Sequence, residues 1–551
     1  HGAAWEFFRN DVLDAADWFE ANAGIKKGEL RLNQFGASAG GPILKNKLFF
    51  FGDYEGKRRV QGTASTGNVP TLLERSSNYT DLSDILTIND GTTRTDALGR
   101  AIQKGTVLDP ATTRLVAAGA TDPVSGLKNN SGKDGYVRDA FGCAPSQTTV
   151  TRATCPGLNQ LPASRVDPNA PAVLNLYPEP NNGLQQFASS PNLYEHSNTF
   201  DIRTDYNPNE KNQLFFRFSY ADDPIYIPGI FGGVADGGSF QQGVQTAKSN
   251  QAVAAYTRVF NQNTINVVRG GFAHLHTTRF GPVGDQTGIP EQYGIADIPQ
   301  VAENGGLPTF QIGNLANLGS NNFLPSDEVS QTFQVTDDFT KIYGKHNFKM
   351  GIEYQTVKFS TLQPAWSRGQ FQYNGGFTDI PNLGSTGGGL AQMLLPPTAA
   401  TYPGAGGFDY SGGADGIYAS NINKTYDAKK YFASYFQDDW KITSKLTVNL
   451  GLRWDYFGPI NETNGGQANF VPYGAPDNKP EFIIPATGKS NRELSTDATC
   501  AGIGCKGFVD LLAQDGIALN STNKYGQGLL QTQKANFAPR VGLAWELTPK
   551  L

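Results

Sequence analysis

His274 and His276 stand two residues apart. On a β-strand that spacing puts both imidazoles on one face, where two nitrogens could share a metal ion. The plainer reading is a pair of polar side chains near a loop, because only five histidines occur and none lies in an HExxH pattern. Paired carboxylates, the usual equipment for acid/base chemistry, occur as Asp222-Asp223, Asp337-Asp338 and Asp438-Asp439. Neighbours on a strand point to opposite faces, so none of these pairs can act together on one substrate atom. Gly36 and Gly41 have the spacing of a phosphate-cradling loop, but Pro42, Ile43 and Leu44 follow where that chemistry needs a lysine, a hydroxyl and a helix start. No GxSxG nucleophile elbow is present. These residues argue against an enzyme, and no cofactor is expected.

Four cysteines form two close pairs, Cys143 with Cys155 and Cys500 with Cys505, each in a polar, glycine-rich connection. Loop disulfides in an oxidising compartment are the expected state. The competing zinc site lacks both CxxC spacing and a nearby histidine.

The elements that would position these residues are strands. Of 551 residues 38% are hydrophobic and 17% charged, with 64 Gly, 34 Phe and 22 Tyr, a composition in which strand and turn formers outweigh helix formers. The net charge of −5 and the lack of a basic run argue against a nucleic-acid partner. No apolar run approaches the ~20 residues of a membrane helix, which excludes spanning helices and leaves spanning strands. The chain starts at His1 rather than Met and stops just after a strand-like run, and is read as a fragment.

One device recurs along the chain. "NTFDIRTDYNPNEKNQLFFRFSY" sets Phe200, Ile202 and Tyr206 against Asp201, Arg203 and Asp205, turns at 208–211, and returns with Leu214, Phe216, Phe218 and Tyr220 opposite Phe215, Arg217 and Ser219. This is period two, twice. "FGASAGGPILKNKLFFFGDYEG", "QAVAAYTRVFNQNTINVVRGGF", "QTFQVTDDFTKIYGKHNFKMGIEYQ" and "YFASYFQDDWKITSKLTVNLGLRWDYF" repeat it, and "NFAPRVGLAWEL" closes the chain. A soluble sandwich also alternates. Strands of roughly 10–12 residues, tight turns alternating with very long polar loops, and Trp440, Trp454, Tyr456 and Trp545 toward strand ends on or beside the apolar face favour a membrane barrel. Its lumen would then receive Arg203, Asp205, Arg217, Glu353, Arg453, Asp455, Arg540 and Glu546.

"FGASAGGPILKNKLFFFGDYEGKR" resembles the early barrel of TonB-dependent outer-membrane transporters, in particular the Oar-like subgroup. "HGAAWEFFRNDVLDAADWF" resembles the segment where that family leaves its plug. "VPTLLER", "VLDPATTR" and "LPASRVDPNAPAVLNLYPEPN" are similar to its long early loop, and "GKHNFKMGIEY", "FQDDWKITSKLTVNLGLRWDY" and "NFAPRVGLAWELTP" to its later hairpins. The resemblance implies an all-β fold, an antiparallel transmembrane β-barrel of about 22 strands around a plug, of which roughly 12–13 are in this chain. Residues 1–30 would be the end of the plug region and the passage into the barrel. Residues 31–551 would be part of the barrel, with 61–195 a long extracellular loop region. The implied location is the bacterial outer membrane, and the implied partners are its lipid, the TonB complex reached through a plug outside this chain, and an extracellular ligand. The implied function is import of a siderophore, oligosaccharide or peptide; the alternative is an Oar-like surface protein for adhesion or export support.

Overall fold

A computed structural model describes the chain except residues 23, 25, 237–241, 299–300, 385–387, 400–409, 412, 421, 423, 474–477, 487–511 and 547–551. Its framework is a 14-stranded sheet. Along the main path run β1 (Gly2–Asn10), β2 (Leu30–Leu44), β3 (Leu48–Gly62), β4 (Asn192–Asn209), β5 (Asn212–Asp222) and β6 (Gly243–Asn261). They continue as β7 (Thr264–Phe280), β8 (Ser326–Tyr343), β9 (His346–Leu362), β10 (Lys424–Lys441), β11 (Leu446–Phe457) and β12 (Asn536–Trp545). Each pairs antiparallel with the next in chain order, so β1 and β12 are the two ends of the path. Residues Ile225–Ile227 and Asn461–Glu462 add short side pairings.

Connections alternate in length. Residues 45–47, 210–211, 262–263, 344–345 and 442–445 make tight turns at one rim, while 11–29, 63–191, 223–242, 281–325, 363–423 and 458–535 leave the other. The first turn rests on Asn46, which takes φ 60, a left-handed conformation that asparagine tolerates better than most residues.

The run of small residues in β2 meets large rings across the sheet. A Cβ on Gly36 would lie 2.4 Å from Cζ2 of Trp5 on β1, and one on Gly56 would lie 2.6 Å from Cζ of Phe35. Each glycine leaves room for a neighbouring ring to lie flat over the backbone, a pairing that stiffens a glycine-rich strand. The close neighbour of Gly36 is therefore β1, within the segment expected to be the passage from plug to barrel.

Several strands exceed the expected 10–12 residues. β6 has 19, which at about 3.4 Å per residue is ~65 Å, more than a tilted strand needs to cross a bilayer. The surplus lies toward the long connections and is polar, as in the "GVQTAKSN" half of β6.

The buried apolar core is not under the sheet. One cluster unites Val69, Tyr79 and Leu174 of 63–191, Ala235 of 223–242, Leu307 and Leu318 of 281–325, and Leu390 and Leu394 of 363–423. Four connections thus fold into a single cap at one rim. The sequence reading expected very long polar loops. Apolar residues scattered singly between glycines and prolines find each other only in three dimensions, which is why the cap has no periodic signature.

Candidate functional site

Residues paired directly across strands share a face. Phe339, Met350, Phe436 and Leu452 form one such row. The next row is Thr340, Lys349, Gln437, Gly451 and Arg540. One face of the sheet is therefore aromatic and aliphatic, the other polar.

The apolar face is bare. Phe436 is 47% exposed, Leu452 49% and Ile352 51%. So broad an exposed apolar surface requires a nonaqueous partner, and in an outer-membrane barrel that partner is lipid. Trp440, Trp454, Tyr456 and Trp545 all fall on this face by register, with Trp440 stacked on His346 at 5.2 Å. Asp438 also lies here, opposite Phe348 and Leu450, and accepts a 2.7 Å hydrogen bond from or shares a proton with Nδ1 of His346 near the short-turn rim. Its neighbour Asp439 is on the polar face with Lys349 at 3.3 Å, as alternation requires. His274 and His276 share the apolar face toward the long connections. There His276 Nε2 meets Asp327 at 2.7 Å, whose other oxygen takes Lys424 at 2.7 Å, so the second histidine is not its partner. Among the described residues no group of three or more metal-ligating side chains converges.

The polar face carries Arg203, Asp205, Arg217, Glu353, Arg453, Asp455 and Arg540, and Glu546 follows β12 by one residue, its N–H donating to Lys445. Arg203 forks onto Asp205 at 2.7 and 2.8 Å. A larger group forms on β9–β11, where Arg453 donates to Tyr431 Oη at 2.7 Å and to Asp455 at 3.0 Å, and stands 3.6 Å from Glu353. Tyr431 donates onward to Asp455 at 2.6 Å. Arg217, Arg540 and Glu546 do not join this group.

The cap holds the most heavily buried charges. Arg100, 2% exposed, donates to Asp96 at 2.8 Å, to Asp139 at 2.9 Å and to the Arg138 carbonyl at 2.5 Å. Arg114 grips Asp122 and Asp139 with four hydrogen bonds of 2.7–3.0 Å. Hydrogen bonding to Arg114 outweighs burial and holds the Asp122 carboxyl well below the usual range. Asp236 and Arg368 contrast with this network. Both are almost fully buried; among the described residues neither oxygen of Asp236 has a hydrogen bond of normal geometry, Ser320 being the hydroxyl beside it, and Arg368 donates from Nη2 to the Asn321 carbonyl. Burial pushes the Asp236 carboxyl up to about 7 against the pull of Arg368, and pushes Arg368 down to about 10.

Cys143 and Cys155 form a disulfide in a second apolar cluster, where Leu86, Ile102 and Leu158 of 63–191 meet Ile380 of 363–423. Cys500 and Cys505 lie outside the described residues. The short apolar run "GGGLAQMLLPP" supplies the wholly buried helix Gly389–Leu394, a structural anchor of the cap. The sequence reading missed the cap's ion network and the His346–Asp438 pair. The network has no local spacing signal, and the pair needed the β9–β10 register.

Among solved structures the chain is similar to the outer membrane transporter YddB from Escherichia coli, with 8% identity and a TM-score of 0.35 over 84% of this chain and 40% of that one. It is also similar to a mutant ferric enterobactin receptor, PfeA, from Pseudomonas aeruginosa, with 6% identity and a TM-score of 0.32 over 88% and 48% of the two chains. The siderophore receptor PirA from Acinetobacter baumannii gives 8%, 0.31, 88% and 47% on the same measures. In each case this chain spans less than half of the solved protein. No curated protein matches it. The family model described as the outer membrane beta barrel domain matches residues 1–551 from end to end. With a bare apolar face, a polar opposite face and alternating rims, the chain belongs to that family and is a protein of the bacterial outer membrane.

Proposed function

We propose that the protein is a TonB-dependent receptor that captures a scarce extracellular ligand on its cap and admits it along the polar face of the barrel. The observation that carries this reading is the shared core of four long connections at one rim, because a surface held by Leu174, Leu318 and Leu394 is preorganised for selective capture. On this reading the long connections, including the region 61–195, face the medium and the short turns face the periplasm. Arg203, Asp205, Arg217, Glu353, Arg453, Asp455, Arg540 and Glu546 face the lumen. Residues 1–30 lead from a plug region outside this chain, through which the TonB complex relays energy, and 31–551 form part of the barrel. A siderophore, an oligosaccharide or a peptide fits this role.

The test is growth of the source bacterium on limiting iron, oligosaccharide or peptide, with the complete gene deleted and, separately, with TonB deleted. Import predicts that both deletions abolish use of the same nutrient. Loss of surface attachment with nutrient use intact in both strains would replace import by an Oar-like role in adhesion or export support.

A further inference from the structure

A cleft of ≈ 270 Å³ opens in the cap where 63–191 meets 281–325 and 363–423. Its floor is apolar and buried, made by Ile85, Leu315 and Leu390. Ile88, 39% exposed, and the amides of Gln185 and Asn314 stand at its mouth, the two amides bonded to each other at 3.1 Å.

Glu74 also lines this cleft and is 0% exposed. Its Oε2 accepts the Thr71 N–H at 2.7 Å and completes a capping box on the helix Leu72–Ser76. Among the described residues its Oε1 has no hydrogen-bond partner. The nearest cation in sequence, Arg75, is turned to the carbonyls of Pro70 and Pro178 instead. Burial, reinforced by Asp84 and opposed by the Thr71 hydrogen bonds and Arg75, raises the Glu74 carboxyl to about 7. A buried carboxylate oxygen without a donor costs free energy that an arriving N–H would recover, most of all a charged one.

We propose that this cleft binds a compact amphipathic ammonium of about amino-acid size. The ammonium donates to Glu74 Oε1, the apolar body covers Ile85, Leu315 and Leu390, and a ligand carbonyl meets the amides at the mouth. The volume lies just below the roughly 300–1,000 Å³ range of small-molecule sites, which limits the occupant to one residue-sized group, either a free amino-acid derivative or the amino-terminal residue of a peptide. The inference rests on the proposed function only for the side of the membrane from which the ligand comes. Binding to the purified protein therefore tests the cleft whether or not anything is imported.

The probe is leucinamide, with N-acetyl-leucinamide as its neutral counterpart, titrated calorimetrically into the complete protein in detergent. Leucinamide is expected to bind saturably, and the acetylated compound at least about tenfold more weakly, the scale of one charge-assisted hydrogen bond. Glu74→Gln keeps an acceptor for Thr71 but loses the charge, and should weaken leucinamide by about the same factor. Ile88→Trp fills the mouth from an exposed position and should weaken both compounds, which decides the matter if Glu74→Gln fails to fold. Absence of saturable leucinamide binding, equal binding of the two compounds, or binding unchanged in a folded Glu74→Gln or in Ile88→Trp would overturn the proposal.

Discussion

Arg138 donates from Nη1 to the carbonyl of Asp379 at 2.7 Å, across 241 residues of chain, and to that of Gly376 at 2.8 Å. Arg138 is 2% exposed and its Nε donates to Thr113 Oγ1 at 2.9 Å, so the two long connections 63–191 and 363–423 are joined by a buried cation. Fixed in this way, they form one surface rather than two independent loops.

Arg138→Met should therefore loosen both connections together. Loss of charge-assisted hydrogen bonds to buried carbonyls is expected to cost about 3 kcal/mol, only partly offset by the apolar replacement. Hydrogen exchange read by mass spectrometry should speed up in 63–191 and 363–423 alike and leave β9 unchanged. Faster exchange confined to 63–191 would mean that the contact does not couple them.

The assignment of faces predicts opposite outcomes for near neighbours on β11. Leu452 pairs with Phe436 and Pro539, so Leu452→Arg has no carboxylate directly opposite and should hinder assembly by roughly 2–4 kcal/mol if near the bilayer midplane. Asn449→Arg turns toward Asp439 on the polar face and should be tolerated. Heat-modifiability of the complete protein on gels reads both. Leu450 is a poorer test than Leu452, because Asp438 lies opposite it and could receive an introduced arginine.

Acidity should act on the cap in two directions. Asp122, held low by Arg114, stabilises the cap above its unfolded value of about 4, and that contribution is lost as pH falls further. Glu74 and Asp236, both raised to about 7, favour the protonated form when folded. Their linkage stabilises the cap as pH falls from above 7 toward about 4, where the unfolded groups protonate too. Cap stability, followed by hydrogen exchange of 63–191 extrapolated for intrinsic rate, should peak between about pH 4 and 6. A steady rise from pH 4 to 8 would contradict the burial of Glu74 and Asp236 as unpaired acids.

The disulfide closes a separation of 12 residues, for which the chain-entropy account gives about 3 kcal/mol. Cys143→Ser with Cys155→Ser should increase protease nicking within 63–191 while the barrel strands stay protected. In intact cells an impermeant maleimide should label neither Cys143 nor Cys155 until a reductant is added. Labelling before reduction would show that the bond is not formed in the living cell.

The hairpins were legible because a strand that meets lipid on one side writes a period-two aromatic pattern, as in Leu446 to Tyr456 of β11. By the same parity Arg203 and Arg540 share the polar face with Arg453. The pattern could not reveal strand length beyond the membrane, since the outer half of β4, "NLYEHSN", alternates weakly. Nor could it reveal the cap, whose single core contains Val69 together with Leu307 and Leu394, more than 200 positions away, a grouping that no local spacing encodes. Asp438 shows the limit within a strand. Alternation separates it from Asp439, but only the register with β9 puts it beside His346.

The central claim is that one face of this sheet meets lipid and the other the lumen, and adjacent residues of β9 test it most directly. Ile352 pairs with Asp337 and Ser434 on the apolar face, while Glu353 pairs with Thr336 and Ala433 on the polar face. Single-cysteine variants Ile352→Cys and Glu353→Cys, in the complete protein with its native cysteines replaced by serine and reconstituted in vesicles, would be exposed to a spin label and read for collision with oxygen and with a water-soluble nickel complex. The account predicts that the label at 352 is relaxed by oxygen and shielded from nickel, and that the label at 353 is reached preferentially by nickel. The reverse pattern, or equal access of nickel to both, would contradict it.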